Sequence, residues 1–252
     1  MTSTSSLPIS RPSLSLLGTE PWRAAMEFLA FTFNHQQQKS SLPPGDGHPV
    51  IIFPGLAGDG STVAPLRDYC ESLGYKALDW GRGYNTGPKG ELEPWLAALA
   101  SETAALLRCY DKPATLIGWS LGGIYAREMG KLLTSQVRQV ITIGTPFNAE
   151  SDHTNVGWLF RLLSGTPAAI DPEMSQRLRT PPPLPTTSIY SRSDGVVAWE
   201  TCRHADTFKQ VQDIEIDGSH IGMGWNPAVM QIVADRLRQA PANWQPYAFS
   251  GL

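Results

Sequence analysis

Five residues near the middle of the chain, Gly118-Trp119-Ser120-Leu121-Gly122, set a serine between glycines at G-x-S-x-G spacing. An apolar run, 114–119 (ATLIGW), leads into the serine, and a helical pattern, 121–133, leaves it. A strand-to-helix reversal that tight forces its central residue into a strained backbone conformation. Gly118 and Gly122, with Gly123, relieve the crowding around it. The turn raises the hydroxyl over a helix N-terminus, where developing negative charge is favoured. The pentad alone is a weak signal, and a glycine-rich turn with an incidental serine is its plain alternative. The strand before it and the helix after it give it weight.

A serine hydroxyl is a poor nucleophile until a base takes its proton. His35 and His48 precede most of the chain's apolar runs, His153 falls in an irregular stretch, and His204 sits among polar residues. His220 differs: it follows the segment 211–216 after the short turn Asp217-Gly218-Ser219. Reactive groups of open α/β sheets collect at the carboxyl ends of strands, which makes His220 the expected base. Its carboxylate partner is expected at Asp194, in the loop Arg192-Ser193-Asp194-Gly195 after the run 187–191. Asp217 is too near His220 in sequence to face it easily, Glu215 is inside a strand, and Glu200 is further from a strand end. An Asp-Gly pair is also an ordinary turn signal.

Acyl transfer through a serine builds an oxyanion, and each N–H donor aimed at it is worth about 3 kcal/mol. The Leu121 N–H, next to the nucleophile, is one expected donor. The loop Phe53-Pro54-Gly55-Leu56-Ala57-Gly58-Asp59-Gly60 supplies the other, assigned to the Leu56 N–H because its glycines let the backbone approach a substrate. This loop has neither the Lys-Ser/Thr pair of a P-loop nor G-x-G-x-x-G spacing, so a phosphate cradle is not expected.

The elements that must position these groups alternate. The continuous apolar run 49–53 and the segments 75–80, 114–119, 137–144, 187–191 and 211–216 read as strands; helical patterns at 61–73, 91–110, 121–133 and 226–239 fall between or after them. Such alternation predicts an α/β fold, a mostly parallel sheet of about six strands covered by helices on both faces. Asn226 and Pro227 form a good helix start. Residues 148–185 break the rhythm, with an apolar helical stretch at 156–164, a short one at 172–178 and the stiff run 181–185; this reads as a small lid insertion. Residues 1–48 read as a leader and a helix at 20–38, whose Trp22, Met26, Leu29 and Phe33 lie at helical spacing and are expected to pack on the 49–252 domain. An interfacial anchor is the alternative for this helix, although basic residues are nearly absent from it.

Composition bounds the rest. With 252 residues, 41% of them hydrophobic, and a net charge of −3, the chain can build its own core and lacks the basic footprint of a nucleic-acid binder. Cys70, Cys109 and Cys202 are far apart and outside metal-ligand spacing, so they are expected to be buried small hydrophobes; neither a metal nor an organic cofactor is expected. No signal peptide and no membrane-spanning stretch are expected, leaving the cytoplasm as default and peripheral membrane contact open.

Taken together, HPVIIFPGLAGDGST (48–62), GWSLGG (118–123), ITIGTPF (141–147), YSRSDGVV (190–197) and DGSHIGMGWNP (217–227) resemble an α/β-hydrolase of the lipase/esterase group, over about residues 49–239. Where many lipases place His-Gly before the oxyanion residue, this chain has Pro54-Gly55. The resemblance implies the corresponding sheet and a pocket under the lid. It also implies a small ester or lipid as substrate, with Trp119, Trp158 and Ile221 as candidate pocket residues. Arg82 and Asn85 are candidates for contact with a polar substrate part. A thioesterase, acyltransferase or lactonase would use the same three side chains, and a non-catalytic binding protein of this fold would need none of them.

Overall fold

The computed structural model describes residues 11–39, 44–148, 172–205 and 207–249. The described elements, in chain order, are α1 (Leu14–Lys39), β1 (Pro49–Phe53), α2 (Ala64–Ser72), β2 (Lys76–Asp79), α3 (Leu92–Leu107), β3 (Ala114–Trp119), α4 (Leu121–Leu132), β4 (Val137–Ile143), α5 (Pro172–Arg179), β5 (Thr186–Ser191), β6 (Val211–Ile216) and α6 (Pro227–Arg238). The six strands form one sheet in the order β2-β1-β3-β4-β5-β6, every neighbouring pair parallel.

The central strands β1 and β3 are buried throughout and mostly apolar because both faces of the sheet are covered, whereas the edge strands β2 and β6 are partly exposed. Val50 and Ile52 of β1 point into a core shared with α2 and α6, whereas Ile51 and Phe53 point into a second core shared with α3 and α4. Asn226 caps α6, its side chain accepting the Ala228 N–H at 2.9 Å. The predicted strands recur within a residue or so of their expected ends, and the predicted helices shorten at their frayed termini. Cys70 and Cys202 are buried as expected, and burial pushes the Cys70 thiol up to about 12; Cys109 is exposed instead.

Two expectations change at the N-terminal helix. It begins at Leu14 and runs through Pro21, where the sequence pattern opens a helix at Glu20. Ser13 supplies a cap ahead of that turn, its hydroxyl accepting the Leu16 N–H at 3.2 Å. The stripe Trp22, Met26, Leu29 and Phe33 does not pack inward: these side chains are 70%, 48%, 49% and 79% exposed. The inward face, two residues out of phase, carries Glu20, Ala24, Glu27 and Phe31. Residues 149–171, which hold the expected lid helix with Trp158, lie outside the described residues. The following helix, α5, docks on α4, where Arg177 pairs with Glu128 at 2.7 Å and Arg127 donates to the Leu178 carbonyl at 3.1 Å. None of the helices among the described residues is long and apolar enough to cross a membrane.

At the opposite edge of the sheet from the carboxyl ends, His48 is buried between Asp46 (2.5 Å) and Thr115 (2.9 Å). Burial, with the Arg138 and Lys112 charges nearby, pushes it down to about 4 despite its bond to Asp46. Unfolding releases this histidine to an ordinary value of about 6.5, so protonation favours the unfolded chain and stability falls as pH drops from about 6.5 towards 4. Urea unfolding at pH 7 and pH 5 is expected to show that His48→Gln loses about 2 kcal/mol less than the parent over this interval. Equal losses in the two proteins would refute the assignment.

Candidate active site

Parallel strands end on one edge, and the loops at that edge bring together residues remote in sequence. Ser120 follows β3, Asp194 follows β5 and His220 follows β6. Ser120 Oγ lies 3.0 Å from His220 Nε2, and His220 Nδ1 lies 2.6 Å from Asp194 Oδ2. The carboxylate fixes the tautomer: Nδ1–H donates to Asp194, which leaves the Nε2 lone pair to accept from the Ser120 hydroxyl. All three side chains are buried or nearly so.

Each member is held by its surroundings. Ser120 sits at φ 54° and ψ −123°, a conformation costing on the order of 1–3 kcal/mol for a residue with a side chain. The close packing around this turn leaves no room for side chains at its glycines. A Cβ on Gly118 would enter the Gly122 backbone, one on Gly122 the Phe53 carbonyl, and one on Gly123 the Thr145 side chain. Asp194 keeps its outer oxygen occupied, Oδ1 accepting the N–H groups of Val196 (2.8 Å) and Val197 (2.7 Å). The His220 ring lies over Gly144, itself at φ 54°, where a Cβ would stand 3.2 Å from Nδ1.

The electrostatics favour a chargeable imidazole. Burial pushes His220 down, but the charge and hydrogen bond of Asp194 and the charge of Glu20 together outweigh it, so the ring is held above the ordinary histidine range. His48 and His204 have other partners, His204 being bound to Asp213 at 2.7 Å and to Arg127 at 3.0 Å. His153 lies outside the described residues.

The β1 loop lies directly against Ser120, since a Cβ on Gly55 would stand 3.2 Å from the Ser120 Cβ. Leu121 opens α4, so its N–H has no acceptor within the helix. The Leu56 N–H meets no acceptor among the described residues, while its neighbours are tied down: Ala57, at φ 61°, donates to the Asn85 carbonyl (2.9 Å) and Gly58 to the Gly55 carbonyl (3.1 Å).

Asn85, a candidate for touching a polar substrate part, instead braces this loop. It is fully buried, its Nδ2 donates to the Pro54 carbonyl at 2.8 Å, and its backbone N–H donates to Gly58 at 2.8 Å. Arg82 is likewise occupied, paired with Glu102 and lying over the Trp95 ring. Trp119 is buried under the base loop, its indole N–H donating to the His220 carbonyl at 3.1 Å. Ile221 is partly exposed and borders an apolar cleft of about 870 Å³ that also touches Pro21, Ala24, Phe28, Phe31 and Trp225. Among the described residues no cluster of His, Cys, Asp and Glu is arranged to hold a metal ion.

The sequence reading missed Glu20, Arg23 and Glu27 of α1. Arg23 donates to the Ser193 carbonyl at 2.6 Å, and the two glutamates accept backbone N–H groups of the loops carrying Asp194 and His220. An i, i+7 glutamate pair on one helical face was the available signal, but it matches no chemical motif.

A parallel, helix-covered sheet with Ser, Asp and His gathered in that chain order at its carboxyl edge is the α/β-hydrolase fold. Solved structures agree at the level of fold. The thioesterase domain from the curacin biosynthetic pathway superposes with a TM-score of 0.56 at 12% identity, covering 77% of this chain and 92% of that one. The pyrethroid hydrolase PytH superposes at 0.56 and 15% identity, covering 79% and 100%. Lipase B of Aspergillus fumigatus gives 0.57 at 17% identity, covering 80% and 55%. By sequence, the chain is similar to a pimeloyl-[acyl-carrier protein] methyl ester esterase of Shewanella woodyi, 27% identical over 113 residues. That match spans 44% of this chain and 41% of the esterase. No protein-family model matches the chain.

Asp194→Asn removes the charge that raises His220 and, with its oxygen held by the Val196 and Val197 N–H groups, turns an amide donor towards the ring in place of the acceptor. An NMR titration of the imidazole is therefore expected to show a lower pKa in this variant than in the parent. An unchanged value would mean that the observed pairing does not control the ring.

Proposed function

We propose that the chain is a serine hydrolase that cleaves a carboxylic ester through an acyl-enzyme on Ser120. The observation that carries this reading is the continuous path from Asp194 Oδ2 through the His220 ring to Ser120 Oγ, at 2.6 and 3.0 Å. His220 Nε2 takes the Ser120 proton as Oγ attacks the ester carbonyl carbon. The carbonyl π electrons move to oxygen, which the Leu56 and Leu121 N–H groups hold. Collapse of this intermediate breaks the bond to the alkoxy group, and the His220 imidazolium protonates the departing alcohol. Water, deprotonated by the same nitrogen, attacks the acyl-enzyme, and the proton returns to Ser120 Oγ as the acid is released. Asp194 holds the tautomer and stabilises the imidazolium without taking its proton.

The apolar cleft beside Ile221 supports an apolar acyl or alcohol portion in the substrate. The Shewanella woodyi relative, a methyl ester esterase, points to the same bond type. A thioester substrate or an alcohol acceptor would use the same steps with a different leaving group or second nucleophile.

A fluorophosphonate probe is expected to label the parent and not Ser120→Ala. Hydrolysis of p-nitrophenyl esters is expected to fall by about four to six orders of magnitude in Ser120→Ala and His220→Ala, and to be indifferent to EDTA. Because the base must be neutral and His220 is held high, the acid limb of kcat/KM is expected above the ordinary histidine value of about 6.5. Undiminished labelling of Ser120→Ala would defeat the assignment. Faster turnover of acyl-CoA than of oxygen esters would move the reading to a thioesterase.

A further inference from the structure

Asp194 and His220 ride on separate loops, after β5 and β6, and their contact survives only if these loops keep a fixed separation. One oxygen atom bridges them. Glu20 Oε1, from α1, accepts the N–H of Gly195 at 2.8 Å and the N–H of His220 at 3.0 Å. Its Oε2 accepts the Ile221 N–H at 3.1 Å. Arg23, one turn further on, donates to Glu20 at 2.7 Å and to the Ser193 carbonyl at 2.6 Å. Asp194 is thus gripped through the residues on both sides of it, and His220 through its own backbone and that of its successor. Glu27 extends the pattern, accepting the Ser219 N–H at 2.7 Å. Three consecutive N–H groups of the base loop therefore end on carboxylates of one helix.

We propose that Glu20 is a positioning residue of the active site, coupling the acid loop to the base loop from a helix outside the sheet. The inference rests on the reading of Ser120, His220 and Asp194 as the catalytic relay. Glu20 is buried, and both of its oxygens face donors, the arrangement an ionised carboxylate satisfies and a protonated one does not. It therefore does two things at the base. It fixes the backbone from which the imidazole projects, and it adds a second negative charge behind the ring as the imidazolium forms. The charged groups facing His220 are Asp194, from the loop after β5, and Glu20, from α1, with Arg23 bound to the Glu20 carboxylate.

Glu20→Gln keeps the side chain's shape but replaces one acceptor with a donor aimed at backbone N–H groups. Glu27→Gln makes the same change one residue away from the base and serves as the control. Steady-state kinetics with p-nitrophenyl acetate are expected to show kcat reduced by about tenfold to a hundredfold in Glu20→Gln, with KM within about twofold of the parent. NMR titration is expected to show a lower His220 pKa in Glu20→Gln and an unmoved one in Glu27→Gln. A folded Glu20→Gln with parental kcat and parental imidazole pKa would overturn the proposal. So would equal losses of kcat in the two variants with no change in either titration, since this would mean the helix merely adds stability. Should Glu20→Gln fail to fold, amide hydrogen exchange on the parent decides: the Gly195, His220 and Ile221 amides are expected to be protected together, and rapid exchange at all three would refute the bridge. A parent that neither hydrolyses esters nor labels with fluorophosphonate would overturn the catalytic reading, whereas the imidazole titration would still report on the clamp.

Discussion

A serine at a strand end and a carboxylate two strands away can share one imidazole only if three loops agree in position to a few tenths of an ångström. The binding constraint is the 2.6 Å contact between His220 and Asp194, because neither residue sits on a regular element. The parallel sheet supplies the coarse solution. With β3, β5 and β6 running the same way, their carboxyl ends emerge together, and Ser120 stands beside the β1–β3 junction, where the strand order reverses. The fine solution comes from side chains and loops around the sheet's carboxyl edge: the Trp119 indole on the His220 carbonyl, Gly144 under its ring, and the Glu20 carboxylate of α1 on its N–H group.

Ser120 is held differently. Its strained backbone is enforced by close packing, with glycines where the Ser120 turn meets the β1 loop and the residues after β4. The same contacts press the β1 loop against Ser120, with Gly55 directly beside the serine. Asn85 then prevents the loop from relaxing, because its buried amide would lose its partner if Pro54 moved. The strain at Ser120 and the position of the β1 loop are thus one packing arrangement and not two.

What could be read from the sequence divides along the same line. Parallel strands buried on both faces appear as continuous apolar runs, so PVIIF and ATLIGW announced their elements and, through them, the edge where chemistry collects. Ser120 was visible because it follows such a run, and Asp194 and His220 because each stands in a turn after a less apolar strand pattern. Interactions made by backbone N–H groups leave no such trace, since every residue but proline has one. Nothing in the letters around Gly195 or Ile221 shows that their amides point at a helix, and nothing marks Asn85 as a brace. The α1 helix was misread for a related reason. It carries two faces of identical spacing, Trp22-Met26-Leu29-Phe33 and Glu20-Ala24-Glu27-Phe31, and hydrophobicity selects the first. The structure buries the second, because the surface it meets is a pair of loops presenting unpaired donors.

That choice has a physical rationale. The loop after β6 leaves the sheet and cannot satisfy its amides through strand pairing, yet it must be covered to keep water from the imidazole. Covering it with an apolar helix face would strand the N–H groups of Ser219, His220 and Ile221, at about 1–3 kcal/mol for each buried donor left unmade. Two glutamates a pair of turns apart satisfy all three, and the second oxygen of Glu27 also takes the Asn226 side chain that caps α6. Charge-assisted bonds to the backbone are stronger than neutral ones, so the loop is held more tightly than packing alone would hold it. Ala24 and Phe31 share that inward face, Phe28 closes against Trp225, and the stripe Trp22, Met26, Leu29 and Phe33 is left facing outward. A helix that looks inverted by hydrophobicity is oriented by the donors beneath it.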